Sequence, residues 1–258
     1  MQDLNVALIQ SGLFWEDRQA NYDHFEQLIR QLPDKVQLAV LPEMFSTGFS
    51  MDPERLAEPA EGPSLSIMKE WAVKYQLAVT GSAMVEDEGQ YYNRLFFVFP
   101  DESFRSYNKR HLFTMAGEHK HFSPGRDKLI LDYAGCRIAP MICYDLRFPV
   151  WCRNQEHYDV SIFVANWPET RIAQWRTLLQ ARAIENQVYV LGVNRVGKDG
   201  NNMAHTGHSA IISPNGDLLQ EAAYDDSILI HTLKAEELVK IRRQKAFLKD
   251  MDEFHLHH

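Results

Sequence analysis

The sequence predicts an α/β fold built on mixed β-sheet, and two features of the chain support that prediction. Short apolar runs typical of buried strands alternate with longer segments in which apolar residues recur at helical spacing. Two pairs of candidate strands are also joined by short turns, which requires antiparallel neighbours within the sheet. No linker rich in Pro, Gly or Ser interrupts this order, so residues 1–258 are expected to form one domain.

The first half of the chain is predicted to contain five strands and two helices. The turn Pro100-Asp101-Glu102 joins two of the strands into a hairpin. The first helix is predicted because Tyr22, Phe25 and Ile29 recur on one face. The predicted strands are Asn5–Gln10, Leu38–Leu41, Leu77–Ser82, Asn93–Phe99 and Ser103–Lys109, and the helices are Ala20–Gln31 and Ser64–Tyr75.

The second half continues the alternation. A helix from about Pro149 is expected between two buried strands, and the turn Pro214-Asn215-Gly216 indicates a second hairpin. The predicted strands are Arg137–Cys143, Val160–Ala165, Val188–Asn194, Thr206–Ser213, Asp217–Ala222 and Ile228–Thr232, and the longer helices are Glu169–Gln187 and Lys234–Arg243.

Composition and charge restrict the classes of function. Hydrophobic residues make up 45% of the chain and charged residues 24%, which is typical of a globular protein. The formal net charge is −8 and no basic cluster is longer than Arg242-Arg243, so nucleic acid is not an expected partner. No apolar run approaches the ~18 residues of a membrane span, and the N-terminus lacks the pattern of a signal peptide. We therefore expect a cytoplasmic protein with no membrane partner and reduced cysteines, whose His-rich end is either native or a tag remnant.

Three polar residues at predicted strand ends are candidates for catalysis. Cys143 lies between an apolar strand and a polar turn, where α/β sheets place ligands and where backbone N–H groups can stabilise an oxyanion. Glu43 follows a buried strand, and its apolar surroundings suit a general acid–base group. Lys109 ends a hairpin arm among aromatic residues. Singly, each has a simpler interpretation: a small buried hydrophobe for Cys143, a cap or loop charge for Glu43, and a solvated charge for Lys109.

The three residues together are far more specific, and their surroundings resemble motifs of the nitrilase, or carbon–nitrogen hydrolase, superfamily. Leu41-Pro42-Glu43 resembles its glutamate motif, Tyr107–Phe113 its lysine motif and Cys143–Pro149 its cysteine motif. Cys143–Pro149 and Ala165–Pro168 are most similar to the ω-amidase branch. The resemblance implies a nitrilase-type α-β-β-α four-layer sandwich with two mixed β-sheets, paired through helices into a homodimer or a higher homo-oligomer.

The resemblance also implies a role for each catalytic candidate. Glu43 would accept the thiol proton while Cys143 attacks the amide carbon, and Lys109 and the backbone N–H of Tyr144 would hold the oxyanion. Glu118 matches a second family glutamate that orients Lys109 and water; without that context it would be interpreted as a loop carboxylate. The mechanism needs neither a cofactor nor a metal.

A small amide that carries a carboxylate is the implied substrate. Arg147 would anchor the distal carboxylate, because a guanidinium fork binds a carboxylate through two bonds; a plain surface arginine is the alternative. Trp167 and Phe49 are candidate pocket walls, although core packing is the default for aromatic residues. The expected reaction converts an ω-monoamide of a dicarboxylic acid, such as α-ketoglutaramate or succinamate, into the diacid and ammonia.

Three other functions stay open at this point. An N-carbamoyl amino acid or carbamoylated amine hydrolase would use the same Glu-Lys-Cys mechanism and release CO₂ with ammonia. A non-catalytic nitrilase-fold binding protein would be expected to have lost a catalytic residue, and all three are present. A metal-dependent hydrolase using the eleven histidines has no ligand motif to support it.

Overall fold

The computed structural model describes residues 1–256, and within them the chain forms two seven-stranded sheets. His257 and His258, part of the His-rich end considered as a tag remnant, lie outside the described residues. The strands are β1 Leu4–Gln10, β2 Leu38–Val40, β3 Glu58–Pro59, β4 Ala78–Asp87, β5 Gln90–Val98, β6 Phe104–Asn108, β7 Leu131–Tyr133, β8 Cys136–Ile142, β9 Val160–Ala165, β10 Tyr189–Asn194, β11 Val196–Lys198, β12 Ala204–Ile212, β13 Leu218–Ala223 and β14 Ser227–Leu233. The α-helices are α1 Arg18–Ile29, α2 Pro53–Leu56, α3 Pro63–Tyr75, α4 Ile172–Asn186 and α5 Ala235–Gln244.

Both sheets are mixed. The first sheet has the order β14-β1-β2-β4-β5-β6, with β3 beside β4. In it β1, β2 and β4 are parallel, whereas β14, β5 and β6 pair antiparallel with their neighbours. The second sheet has the order β11-β12-β10-β9-β8-β7, with β13 beside β12, and its central strands β8, β9 and β10 are parallel.

The two sheets pack against each other, and helices cover their outer faces. Side chains alternate along β1: Val6 and Leu8 join a core cluster shared with the second sheet, whereas Ala7 and Ile9 pack in a cluster with α1 and α3. On the other side, Trp175 and the following apolar residues of α4 pack on the second sheet. The result is the expected α-β-β-α four-layer sandwich.

The expected helix from about Pro149 is wrong. Residues 149–159 form turns, held by the side chain of Asn154. Its Oδ1 accepts a hydrogen bond from Tyr158 N–H at 2.7 Å, and its Nδ2 donates to the carbonyl oxygens of Tyr158 at 3.0 Å and Asn186 at 3.2 Å. An asparagine that bonds nearby backbone groups competes with helical hydrogen bonding, and that contact replaces a helix here.

Most other predicted elements differ from the structure only in their bounds. The largest change is that β4 and β5 extend into a long hairpin through Glu88 and Gly89, which both adopt positive φ angles, 51° and 75°. The short elements β3, β7, β11 and α2 were not predicted, because each has only two to four residues and, unlike β2, none is a continuous apolar run.

Several strands end at the same region of the sandwich. Glu43 follows β2 and Lys109 follows β6 in the first sheet, while Cys143 follows β8 and Asn166 follows β9 in the second. Because the two sheets are packed, these four strand ends meet. Within residues 1–256 no helix is both long enough and apolar enough to span a membrane.

Candidate active site

A buried ionic cluster lies where the strand ends meet. The Nζ atom of Lys109 donates hydrogen bonds to Glu43 Oε1 at 2.8 Å and to Glu118 Oε1 and Oε2 at 2.9 and 3.0 Å. All three side chains are buried, with 0% of their side-chain surface exposed. The structure therefore brings together three of the four predicted catalytic side chains in one hydrogen-bonded group.

Two asparagines fix the carboxylate of Glu43. Asn93 Nδ2 donates to Glu43 Oε1 at 2.8 Å, and the backbone N–H of Asn166 donates to Glu43 Oε2 at 2.8 Å. Asn166 Nδ2 also donates to the carbonyl oxygen of Glu43 at 2.6 Å. Asn93 belongs to the first sheet and Asn166 to the second, so Glu43 is held from both sides of the sandwich.

Cys143 occupies a strained turn directly after β8. It is the first residue of a 3-10 turn, Cys143–Arg147, and its φ angle is 42°. A residue other than glycine pays about 1–3 kcal/mol for such a conformation, which persists only where the surroundings enforce it. Met44, next to Glu43, also has a positive φ of 46°. The chain thus turns sharply at two of the three strand ends that carry catalytic candidates, those of Glu43 and Cys143.

Asp145 enforces the turn at Cys143. This buried carboxylate accepts hydrogen bonds at Oδ2 from Ile142 N–H at 3.0 Å and from the Tyr107 hydroxyl at 2.7 Å. Its Oδ1 accepts from the backbone N–H of His111 at 3.0 Å and lies 2.8 Å from His111 Nδ1. Tyr107 and His111 flank Lys109 in sequence, so Asp145 ties the turn that carries the cysteine to the strand end that carries the lysine.

Arg182 supports the same turn from α4. Its Nη2 and Nε donate to the carbonyl oxygen of Leu146 at 2.7 and 3.1 Å, and its Nη1 pairs with Glu185 at 2.8 Å. The arginine is 3% exposed, so these bonds form in the interior. The helix is thereby locked to the segment that positions Cys143.

Electrostatics in the cluster favour a protonated thiol and a charged lysine. Burial, and then the negative charge of Glu43, raise the pKa of the Cys143 thiol well above its ordinary value of 9.0, although Lys109 opposes the shift. Burial alone would lower the pKa of Lys109, but the carboxylates of Glu118 and Glu43 outweigh it and raise that pKa. Burial also raises the pKa of Glu118, against the opposing charge of Lys109. A thiol in this setting needs a base to become a nucleophile, and Glu43 can serve as that base.

A pocket with a free volume of about 150 Å³ opens over the cluster. Cys143 is surrounded by protein but keeps some accessible surface on this pocket. Predicted residues on its wall are Glu43, Lys109, Cys143, Tyr144, Arg147, Trp167 and Phe49, and further wall residues are Met51, Phe113, Ala116, Asn166, Pro168, Arg171, Asp199, Asn201, Met203 and His205. Within residues 1–256 no group of three or more His, Cys, Asp or Glu is arranged to hold a metal ion.

The predicted substrate-binding residues divide between the inner end of the pocket, where Glu43 and Lys109 are fully buried, and its outer end, where Arg147 and Arg171 are half-buried. The Phe49 ring lies beside the ionic cluster, with its centre 5.2 Å from Lys109 Nζ. At the other end, the guanidinium carbon of Arg147 lies 4.7 Å from the centre of the Trp167 ring and 5.9 Å from that of Tyr144. Arg147 Nη2 donates to Gln174 Oε1 at 2.5 Å, a neutral partner.

Sequence reasoning missed four residues that shape this site: Asn93, Asp145, Asn166 and Arg171. Asp145 and Asn166 lie inside quoted motifs, yet nothing in the motifs indicated which groups their side chains contact. Asn93 begins a predicted strand and carried no other signal. Arg171 was placed within the long predicted helix, whereas the structure has a 3-10 turn, Glu169–Arg171, that directs it into the pocket.

Comparison with known proteins agrees with this geometry. Residues 5–243 match the family model described as carbon-nitrogen hydrolase. The chain is 41% identical to an omega-amidase, YafV, of Yersinia enterocolitica, an alignment that covers 98% of this chain and 99% of the relative. It is 29% identical to a 2-oxoglutaramate amidase of Bacillus subtilis, with 95% and 96% covered. A CN-hydrolase superfamily protein of Xanthomonas campestris superposes over the full length of both chains with a TM-score of 0.97 at 38% identity. The sandwich fold, the position of its strand-end cluster and these full-length matches lead to one conclusion: this chain belongs to the carbon–nitrogen hydrolase family.

Proposed function

We propose that this protein is a thiol-dependent ω-amidase that hydrolyses small ω-monoamides of dicarboxylic acids to the diacid and ammonia. The observation that carries the proposal is the charge arrangement of one pocket. At its inner end, Lys109 is neutralised by Glu43 and Glu118 beside Cys143. At its outer end, Arg147 and Arg171 have no carboxylate partner among residues 1–256. Such a pocket suits a substrate with an amide at one end and a carboxylate at the other.

The first half of the proposed reaction forms a thioester. Glu43 takes the proton of the Cys143 thiol as the sulfur attacks the amide carbon. The negative charge that develops on the carbonyl oxygen is stabilised by the Lys109 ammonium and the backbone N–H of Tyr144. The C–N bond then breaks, the proton passes from Glu43 to the leaving nitrogen, and ammonia departs.

The second half hydrolyses the thioester. Glu43 accepts a proton from a water molecule that attacks the thioester carbon, and the same oxyanion donors act again. The C–S bond breaks and the proton returns to the Cys143 sulfur. Glu118 is the proposed orienting group for Lys109 and water, a role supported by its two hydrogen bonds to Lys109 Nζ.

The outer end of the pocket is proposed to bind the substrate carboxylate. Arg147 provides a guanidinium fork, and Trp167 packs beneath it. Phe49 covers the inner end beside Lys109. The activities of two relatives, omega-amidase and 2-oxoglutaramate amidase, agree with a substrate that has an amide and a carboxylate at opposite ends.

An ammonia-release screen tests the proposal. The purified protein is offered 2-oxoglutaramate, succinamate, an uncharged amide and an N-carbamoyl amino acid, and both ammonia and CO₂ are measured. We expect ammonia without CO₂, with the highest kcat/KM on the ω-monoamides. Release of CO₂ together with ammonia from the carbamoyl substrate as the best reaction would replace the ω-amidase proposal with a carbamoylase.

Three broader expectations belong to the same proposal. We propose one domain over residues 1–258, which is supported by the core cluster shared between the two sheets. We also propose a homodimer or higher homo-oligomer, which is supported by two exposed apolar side chains, Ile184 of α4 and Leu218 of β13, 48% and 44% exposed. A cytoplasmic location is proposed because the chemistry needs a reduced Cys143. Light scattering on the purified protein tests the oligomer directly.

A further inference from the structure

Arg171 enters the pocket without a partner for its charge. Its guanidinium carbon lies 5.0 Å from the centre of the Phe113 ring, and its backbone oxygen accepts a hydrogen bond from Trp167 Nε1 at 2.9 Å. Among residues 1–256 its guanidinium group has no hydrogen-bond or ion-pair partner. Aromatic packing and the backbone therefore hold this arginine in place, and its donors stay available to a ligand.

Arg147 and Arg171 are like charges on one pocket wall. Burial, and then the charge of Arg147, lower the pKa of Arg171 below its ordinary value, which marks their repulsion. Asp199 also lines the pocket, and its Oδ1 accepts the backbone N–H groups of Asn201 and Met203, both at 2.9 Å. Asp199 thus supports its own loop, and an anionic ligand group would relieve the repulsion between the arginines.

Two guanidinium forks match a specific ligand chemistry. A plain carboxylate offers one fork a pair of oxygens in the syn arrangement. A 2-oxo carboxylate offers that pair and a second one, formed by a carboxylate oxygen and the neighbouring 2-oxo oxygen. A site with two forks is therefore suited to a 2-oxo acid, whereas one fork is enough for a simple carboxylate.

We propose that Arg171 is a substrate-binding residue that, together with Arg147, forms a two-guanidinium site for the 2-oxo carboxylate end of the substrate. The inference rests on the ω-amidase function proposed above. What it adds is a residue: Arg171 is assigned the preference for ω-monoamides that carry a 2-oxo group over those that lack it.

The test compares three five-carbon amides on the wild-type protein and the Arg171→Met variant. The amides are 2-oxoglutaramate, glutaramate, which lacks the 2-oxo group, and pentanamide, which lacks both charge and 2-oxo group. Losing charge-assisted hydrogen bonds to a desolvated anion should lower kcat/KM for 2-oxoglutaramate about 10- to 100-fold. The loss on glutaramate should be clearly smaller, and the loss on pentanamide should be the smallest of the three.

Two further variants serve as controls. Arg176→Met removes an arginine on the outer side of α4, where it pairs with Glu221, and should leave all three rates unchanged. Arg171→Lys keeps the charge without the fork, so it should retain glutaramate hydrolysis but not the preference for the 2-oxo substrate. Thermal unfolding of each variant checks that the fold is intact.

A binding measurement separates this inference from the proposed function. Calorimetry on the Cys143→Ala protein should show tighter binding of 2-oxoglutarate than of glutarate, and the preference should disappear when Arg171→Met is added. If wild-type protein releases ammonia from no ω-monoamide, the proposed function fails, while the calorimetry still tests the two-guanidinium site. Equal losses on all three amides, or an unchanged preference for 2-oxoglutarate in the Arg171→Met protein, would overturn the inference.

Discussion

The two ends of the pocket differ in whether their positive charges are paired with carboxylates of the protein. At the inner end, the Lys109 ammonium is fully buried and bonded to two carboxylates, and each partner is held by further hydrogen bonds. At the outer end, Arg147 and Arg171 are half-buried, rest on aromatic rings and have no carboxylate among residues 1–256. The inner cation is paired with carboxylates of the protein before a substrate binds, whereas the outer cations gain an anionic partner only when a substrate binds. The first arrangement suits transition-state stabilisation and the second suits recognition.

Removing the proposed base should have the largest effect. Glu43→Gln retains the size of the side chain but removes its ability to accept a proton, so kcat should fall about 10⁴-fold. Ammonia release with the best ω-monoamide measures the loss. Glu58→Gln is the matched control, because Glu58 is also a buried carboxylate, 4% exposed, but bonds Tyr22 and Ser64 away from the pocket. A Glu43→Gln protein with near-normal turnover would remove Glu43 from the chemistry.

Removing the cation at the inner end of the pocket should mainly affect stability and turnover, and removing one at the outer end should mainly affect substrate recognition. Lys109→Met leaves two buried carboxylates without a counter-charge, so the free energy of unfolding should fall by about 3–5 kcal/mol and kcat by about 10²- to 10³-fold. Arg147→Met should change stability by less than about 0.5 kcal/mol. It should, however, lower kcat/KM for succinamate and not for an uncharged amide. Denaturant unfolding and substrate kinetics on both variants measure these effects. Equal destabilisation by the two substitutions would show that the two ends of the pocket do not differ in this way.

The smallest expected effect concerns the thiols. Because the pKa of Cys143 is raised above 9.0, the fraction of thiolate is small at neutral pH and grows as the pH increases. The rate of inactivation by iodoacetamide should therefore keep rising beyond pH 9. Burial raises the pKa of Cys136 to about 11 and that of Cys152 to about 12, and neither lies on the pocket. Cys136→Ala and Cys152→Ala should leave the profile unchanged, and a plateau below pH 9 would show that Cys143 is a thiolate in the resting protein.

The fold was largely predictable because apolar periodicity reports which faces are buried. The prediction was wrong at Pro149, where Asn154 bonds the nearby backbone of Tyr158 and the distant backbone of Asn186 in place of a helix. The clustering of Glu43, Lys109 and Cys143 was predictable because each follows a predicted strand and lies in a motif that resembles one of the nitrilase superfamily, and both are local features of the sequence. Asn166 contacts Glu43 across 123 residues, and Arg171 reaches the pocket through a turn inside a predicted helix. Contacts of that kind depend on how the sheets pack, and no local pattern encodes them.

The division of the site between the two sheets has a consequence for folding. Glu43 and Lys109 come from the first sheet, and Cys143 comes from the second, so neither sheet alone contains the proposed machinery. Recovery of turnover during refolding should therefore follow the docking of one sheet on the other, and lag behind the formation of β-structure within each sheet. A substitution that loosens the interface between the sheets should weaken activity even when it is remote from the pocket. Turnover in this protein therefore reports how stably its two sheets are docked.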